Sequence, residues 1–276
     1  MSEGLTILLG AIAGLTILLG LPIARVGGLS KLTQGFLNAV ATGILLFLFW
    51  DVLTGATAPV VAALAGVHDG HPGRFFVLLT AYVVGLGAGL LSLVAASSAL
   101  RRRSKPVLSE GPGAVATSEL THPKLDGQQI ALMIAIGLGL HNFSEGLAIG
   151  QLAATGEIAF ALTLIIGFAL HNITEGFGIA APMASDTERP RWKFLLLLGL
   201  IGGGPTFLGT VIGYSFVSDV LYVLFLTLAA GALMYVIEEM FVVGRKMLTR
   251  HQMAWGLLVG FLAGFLTDML LVYLGG

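Results

Sequence analysis

The sequence predicts an all-α polytopic membrane protein with eight transmembrane helices. Of its 276 residues, 56% are hydrophobic and only 11% are charged, against about 25% charged residues in an average soluble domain. So few charges cannot cover a water-facing surface of this size. The chain contains eight apolar stretches that are each long enough for a membrane-spanning helix, which needs about 20 residues, and its basic residues collect on alternate connections.

The predicted spans form one transmembrane domain over residues 1–276. Because no basic segment precedes the first apolar stretch, we interpret it as a membrane helix and not as a cleavable signal peptide. The very short turn near Thr155-Gly156-Glu157 predicts that the fourth and fifth spans form an antiparallel hairpin. The spans cover roughly residues 4–24, 34–55, 74–99, 128–151, 157–181, 193–214, 219–243 and 253–274.

The distribution of Lys and Arg predicts the orientation in a cell or inner membrane. With eight spans, 13 of the 14 basic residues fall on connections at one side, and only Arg74 falls at the other. By the positive-inside rule, the basic side is cytoplasmic. The loop at residues 101–127 is therefore expected in the cytoplasm, and both termini are expected on the non-cytoplasmic side.

Composition excludes several classes of site and partner. The chain has no cysteine, which excludes disulfides, iron–sulfur clusters, thiolate metal sites and cysteine nucleophiles. Its formal net charge of −1 gives no indication of a nucleic-acid partner. The lipid bilayer is the expected surrounding, and the oligomeric state stays open, with a homodimer as one option.

Carboxylates inside the predicted spans have no basic residue within a span to pair with. A charged group at the bilayer centre costs roughly 2.5–3.5 kcal/mol on insertion scales. These acids must therefore be protonated, hydrated or balanced by a cation from outside the protein, which favours cation handling. The alternative is that some are neutral, hydrogen-bonded acids that pack helices. The residues are Asp51, Glu145, Glu175, Glu238, Glu239 and Asp268.

A six-residue motif occurs twice, thirty residues apart, as His141-Asn142-Phe143-Ser144-Glu145-Gly146 and His171-Asn172-Ile173-Thr174-Glu175-Gly176. In each copy His and Glu are four residues apart, so they share one helix face. Both copies lie near the middle of their spans, and the midpoints of an antiparallel hairpin meet at one depth. Imidazole and carboxylate ligands bind zinc at about 2.0–2.2 Å, and imidazole disfavours Mg²⁺ and Ca²⁺. We predict a transition-metal site near the bilayer midplane from His141, Glu145, His171 and Glu175.

At these residues the sequence resembles the ZIP (Zrt/Irt-like) family of divalent metal transporters, which carries motifs of this type on its fourth and fifth spans. The resemblance extends to the eight-span layout, the outward termini and the stretch at residues 231–239. It implies a 3+2+3 arrangement, with spans one to three and six to eight as inverted repeats. It also implies import of Zn²⁺, and often of Fe²⁺, Mn²⁺ or Co²⁺, into the cytoplasm. The metal is then the cargo, and no prosthetic group is expected.

The sequence departs from this family in two places. Members commonly have Pro before each motif Glu, where this chain has Ser144 and Thr174; a hydroxyl bonded to the carbonyl four residues earlier can also bend a helix. Many members carry a Glu-Pro pair on the sixth span, where this chain has Gly204-Pro205. We therefore predict one metal position rather than two, with Asn142 and Asn172 as at best a weak second position.

Four further acids are candidates for an ion pathway. Asp51 and Asp268 fall in the outer thirds of their spans and are expected at an entrance, whereas Glu238 and Glu239 fall in the inner third of the seventh span and are expected at an exit. Acids along both ends of the spans favour a transporter over an intramembrane metal-dependent hydrolase, which needs three ligands and a bound water. A metal exporter is the other alternative, and the chain has no soluble metal-binding domain typical of one.

Overall fold

The computed structural model describes residues 2–26, 30–68, 70, 72–103, 125–185 and 189–275. Most of the predicted cytoplasmic loop at residues 101–127 lies outside these ranges. Within them the protein is helical and has no β-strand, and eight helices are long and apolar enough to cross a membrane. The predicted fold class is confirmed.

The spans begin and end within a few residues of the predicted limits, with one large exception. The second span was expected over residues 34–55 but continues to His68, because its sequence stays apolar beyond the length that a bilayer requires. The first span is interrupted after Leu15 and the fifth ends in a 3₁₀ turn. The helices are Glu3–Leu15 with Ile17–Gly20 and Leu21–Arg25, Lys31–His68, Pro72–Arg103, Gly127–Thr155, Ile158–Ala180 with Ala181–Ser185, Trp192–Ser215, Asp219–Arg245 and Arg250–Gly275.

Close backbone contacts repeat between the two halves. A Cβ added at Gly20 of the first span would lie 2.1 Å from the carbonyl oxygen of Ile173 in the fifth. A Cβ added at Gly209 of the sixth span would lie 2.0 Å from the carbonyl oxygen of Phe143, which holds the same motif position in the fourth. The first span therefore packs on the fifth as the sixth packs on the fourth, as inverted repeats require.

The outer helices repeat this pattern. A Cβ added at Gly260 of the eighth span would lie 2.0 Å from the carbonyl oxygen of Val40 in the second. A Cβ added at Gly89 of the third span would lie 2.0 Å from the carbonyl oxygen of Leu228 in the seventh. Small residues allow helix backbones to approach this closely inside a membrane. Each of the pairs two–eight and three–seven joins one helix from each repeat, so the two pairs correspond to each other as the repeats predict.

Contacts between connections show that alternate helix ends lie together. At one end, the Arg25 guanidinium donates to the carbonyl of Pro190 and lies 5.0 Å from the ring centroid of Trp192. At the other end, Arg74 pairs with Asp219, and Gln151 donates to the carbonyl oxygen of Phe216. We call the first the basic end, because 13 of the 14 Lys and Arg residues were predicted on that side and only Arg74 on the other.

The interior of the bundle is packed on one side of the motifs and contains a cavity on the other. On the basic side of the motifs, the largest hydrophobic core cluster joins all the motif-bearing and flanking helices, with members such as Ile44, Ile134, Ile179, Leu198 and Met240. On the other side, a cavity of about 590 Å³ extends from the motifs to residues beside the connections, including Thr155, Ser218 and Asp219. We call that side the open end. The bundle is thus packed toward the basic end and accessible from the open end.

Candidate metal centre

The hairpin of the fourth and fifth spans brings the two motif copies together. Gly156 ends the fourth span in the left-handed region, with φ of 91°, and this conformation favours glycine because other residues clash there. The chain then reverses directly into the fifth span. Nε2 of His141 lies 3.2 Å from Oε1 of Glu145 on the same helix and, across the hairpin, 3.7 Å from Oε1 of Glu175. One imidazole thus faces the carboxylates of both copies.

His171 completes the set of four from the opposite helix. Together with His141 and Glu145 it lines the inner part of the large cavity. In the described part of the chain, His171 forms no ion-pair contact comparable to those of His141, and no three His, Asp or Glu side chains are already spaced to hold a metal ion. Coordination by all four therefore requires side-chain rotation about Cβ atoms that the helices already hold in place.

The motif side chains are buried but poorly hydrogen-bonded. Among the described residues, nine of the eleven buried side-chain nitrogen and oxygen atoms without a hydrogen-bond partner belong to the six His, Asn and Glu residues of the two motifs. Buried polar atoms normally have a partner, because a missing one costs free energy. Imidazole nitrogens and carboxylate oxygens in this state are the donor atoms that a divalent transition ion accepts.

The two motif asparagines connect the hairpin to its neighbours. Nδ2 of Asn142 donates to Oε2 of Glu175 and to the carbonyl oxygen of Gly202, each at 3.0 Å. Nδ2 of Asn172 donates at 3.0 Å to the carbonyl oxygen of Ala13. The two carbonyl acceptors lie on the sixth and first spans, and Glu175 lies on the fifth. The amide nitrogens are therefore used for positioning, and each Oδ1 atom stays buried without a partner.

A sequence comparison decides the family. A family model described as ZIP zinc transporter matches residues 96–268, which is more than half of the chain and includes both motif copies. The chain belongs to the ZIP family. None of the curated proteins compared with the chain matches it. The ZIP family transports divalent metal ions across membranes, so transport of such ions is the activity that family membership gives this protein.

The structure corrects the prediction about Gly204 in this ZIP protein. A Cβ added at Gly204 would meet no other atom within 4 Å. One turn away on either side, Leu200 and Leu208 are about half exposed, so this face of the sixth span points away from the motifs. The sixth span instead turns Gly202 and Thr206 inward. Gly204 is therefore not the position of a missing ligand, because the register of the helix places it outside.

The residues before each motif Glu form the same hydrogen bond. The hydroxyl of Ser144 donates to the carbonyl oxygen of His141, and that of Thr174 donates to the carbonyl oxygen of His171, each at 2.7 Å. The acceptor is three residues earlier, whereas a bond to the fourth residue was expected. Of the two hydroxyl residues only Ser144 lines the cavity.

The four candidate pathway acids separate into two groups. Asp51 and Asp268 line the large cavity together with His141 and Glu145. Glu238 is exposed on the outer face of the seventh span, and Glu239 is buried. The structure therefore brings only the first pair together with the motif residues.

Glu239 also contradicts the expectation that intramembrane acids have no cationic partner. Nη2 of Arg101 lies 3.1 Å from Oε1 of Glu239, and the hydroxyl of Tyr235 donates to the same oxygen at 3.2 Å. The third span was expected to end near residue 99, but it runs to Arg103 and carries Arg101 alongside the seventh span. The longer helix supplies the missing positive charge.

Several polar residues of the cavity were not predicted. Gln151 and Thr155 continue the face of the fourth span that carries His141, Ser144 and Ala148. Helical spacing of three to four residues from His141 would have identified them. The same spacing would have identified Thr163, which lies eight residues before His171 on the fifth span, whereas Tyr222 has no such signal because its span carries no copy of the motif.

Proposed function

We propose that this ZIP protein imports Zn²⁺, with Fe²⁺, Mn²⁺ or Co²⁺ as further cargo, through a centre formed by His141, Glu145, His171 and Glu175. The observation that carries the proposal is the convergence of two identical His-Asn-x-x-Glu-Gly copies at the inner end of one cavity. Two nitrogen and two oxygen ligands suit a divalent transition ion in tetrahedral geometry.

A bound cation would also neutralise the two carboxylates that are buried inside the spans. Glu145 and Glu175 are buried around His141, which is neutral when it acts as a ligand. Two ionised carboxylates would repel each other there without a cation. A divalent ion supplies both positive charges and accepts the oxygens and nitrogens that lack hydrogen bonds. Binding therefore gains from relief of repulsion as well as from ligation.

The ion reaches this centre from the open end in the proposed route. Asp51 and Asp268 line the cavity between its mouth and the motifs, where their charge attracts cations. A volume of about 590 Å³ exceeds that of an ion with six waters, at about 30 Å³ per water molecule. We infer that the ion enters hydrated and loses water only where imidazole and carboxylate ligands replace it.

We infer a single bound ion from the groups around the motifs. The Asn142 amide donates to Glu175 and Gly202, so it presents hydrogens rather than an oxygen to that carboxylate. From the sixth span, Thr206 turns inward with an uncharged hydroxyl. The proposed direction is from the open end to the basic end, because the positive-inside rule assigns the basic end to the cytoplasm.

Uptake into oriented vesicles with a metal-sensitive dye inside tests this function. We expect His171→Ala and Glu145→Ala to abolish zinc uptake while the protein still inserts and folds. The matched controls are His251→Ala and Glu157→Ala, since both side chains are exposed and lie at helix ends. Wild-type uptake in either motif variant would exclude the centre. Transport only toward the open end would exclude import.

A further inference from the structure

Two separate cavities lie along the same pair of helices. The second and fifth spans both line the large cavity, through Leu48, Asp51 and Gly55 on one side and Thr163, Gly167 and His171 on the other. The same two spans line a small cavity of about 20 Å³ nearer the basic end, through Gln34, Leu37, Phe177, Ala180 and Ala181. The section between the two cavities is therefore where the passage is closed.

The closed section contains small and apolar residues. On the second span, Ala41, Ile44 and Leu45 are buried between the two cavities. On the fifth span, His171, Glu175 and Gly178 are spaced four and three residues apart, so they follow one helix face. Gly178 is thus the first position beyond the candidate centre in the direction of the basic end.

Met240 of the seventh span fills the gap at Gly178. A Cβ added at Gly178 would lie 2.8 Å from Cε and 3.2 Å from Sδ of Met240, and 3.9 Å from the Cβ of Ala41. The Met240 side chain is completely buried. Its thioether therefore occupies a notch that exists because residue 178 is glycine, at the point where the second, fifth and seventh spans meet.

The backbone of Met240 is fixed while its side chain is adaptable. Nδ2 of Asn38 donates at 2.9 Å to the carbonyl oxygen of Met240, which joins the seventh span to the second. The side chain reaches from this anchored backbone to the fifth span, and methionine has three rotatable bonds. Separation of the fifth span from Met240 would open the notch without breaking the Asn38 hydrogen bond.

We propose that Met240, seated on Gly178, is the inner plug of the ion path. The ion leaves toward the basic end between the second and fifth spans after this contact separates. Glu238 and Glu239 lie off this route, since one is on the outer face and the other is paired with Arg101. The inference rests on the proposed function for the identity of the ion, but the closure itself can be measured without metal.

Cysteine labelling provides that measurement, because the natural chain has no cysteine. The reporter is Leu48→Cys, at the inner end of the cavity-lining face of the second span. A membrane-impermeant thiol reagent is applied to metal-free oriented vesicles from each end in turn. With Met240 present, we expect labelling from the open end and little from the basic end. With Met240→Ala, we expect the basic-end rate to approach the open-end rate.

Two control variants separate opening from general loosening. Met183→Ala and Met133→Ala remove the same side chain from the same core cluster, at nearly the same burial, and we expect neither to admit reagent from the basic end. Met240→Leu keeps the volume and should stay closed. If Met240→Ala is not recovered as folded protein, Met240→Val shortens the side chain less drastically and gives the same readout.

The labelling outcomes test the plug and not the transport proposal. Basic-end labelling that is unchanged in the folded alanine or valine variant would overturn the plug, and so would equal labelling in the Met183→Ala control. Neither result depends on zinc, so the transport proposal would stand. Conversely, zinc uptake that survives Glu145→Ala would exclude the proposed centre and leave the labelling result intact.

Discussion

The side-chain amide of Asn142 lies 3.0 Å from both Oε2 of Glu175 and the carbonyl oxygen of Gly202. One residue therefore joins the fourth, fifth and sixth spans at the level of the candidate centre. Both amide hydrogens are donated, which fixes the carboxylate of Glu175 before any ion arrives. Preorganised ligands lose less freedom on binding, so we expect Asn142 to raise metal affinity by holding Glu175 in position.

Asn142→Ala should lower the melting temperature of the purified protein more than Asn172→Ala. The first variant removes a donor from a carboxylate oxygen and from the carbonyl oxygen of Gly202, whereas the second removes one only from the carbonyl oxygen of Ala13, to which the Thr16 hydroxyl still donates at 2.7 Å. A buried polar group that loses its partner costs about 1–3 kcal/mol. Thermal unfolding in detergent, monitored by circular dichroism, measures the difference. A larger loss in Asn172→Ala would contradict the role given to Asn142.

Ser144→Cys should react with a water-soluble thiol reagent from the open end, and Thr174→Cys should not. The two positions are matched, since each follows a motif His by three residues and bonds its carbonyl at 2.7 Å. Only Ser144 lines the cavity. Equal labelling of the two cysteines would show that the cavity does not give the reagent better access to position 144 than to position 174.

Metal affinity should fall as the pH drops from about 7.5 to about 5.5, across the range in which histidine titrates. Ligation needs neutral imidazole and ionised carboxylate, so protons compete with the ion for His141, His171 and the two acids. Equilibrium zinc binding to purified protein at a series of pH values checks this. His251→Ala, which changes an exposed histidine, should leave the profile unaltered. A flat profile would exclude histidine ligands.

Arg101→Ala should destabilise the protein, and adding Glu239→Gln should recover part of the loss. Glu239 is buried, whereas Arg101 is 40% exposed. The expected cost therefore lies between the about 0–1 kcal/mol of an exposed pair and the about 3–5 kcal/mol of breaking a fully buried one. A double-mutant cycle on thermal stability measures the coupling. Strictly additive effects would mean that the two side chains do not interact.

Gly204→Glu should leave the number of bound metal ions at one. The added side chain starts on the outer face of the sixth span, where a Cβ meets no neighbour. Metal analysis of purified protein, with anomalous scattering from crystals, gives the count. A second fully occupied ion in this variant, within about 4 Å of the first as in two-metal sites, would show that a side chain at position 204 reaches the metal centre.

Sequence patterns anticipated the parts of the structure that depend on composition and spacing. Apolar length predicted eight spans, and the repeat at His141 and His171 predicted the convergence within the hairpin. The rotation of the sixth span was not predictable, because a glycine-rich helix has no polar face to orient Gly204. The partner of Glu239 was missed because the third span continues beyond its apolar stretch to Arg101.

The length of the second span has a mechanical consequence for the cavity. A helix of 38 residues is about 57 Å long at 1.5 Å per residue, nearly twice the hydrocarbon thickness of about 30 Å. Its Gly55–Pro59 segment borders the mouth of the cavity. Such a helix accommodates the bilayer by tilting or protruding, so we expect bilayer thickness to change the width of that mouth. Acyl-chain length in reconstituted vesicles should therefore change the rate of zinc uptake.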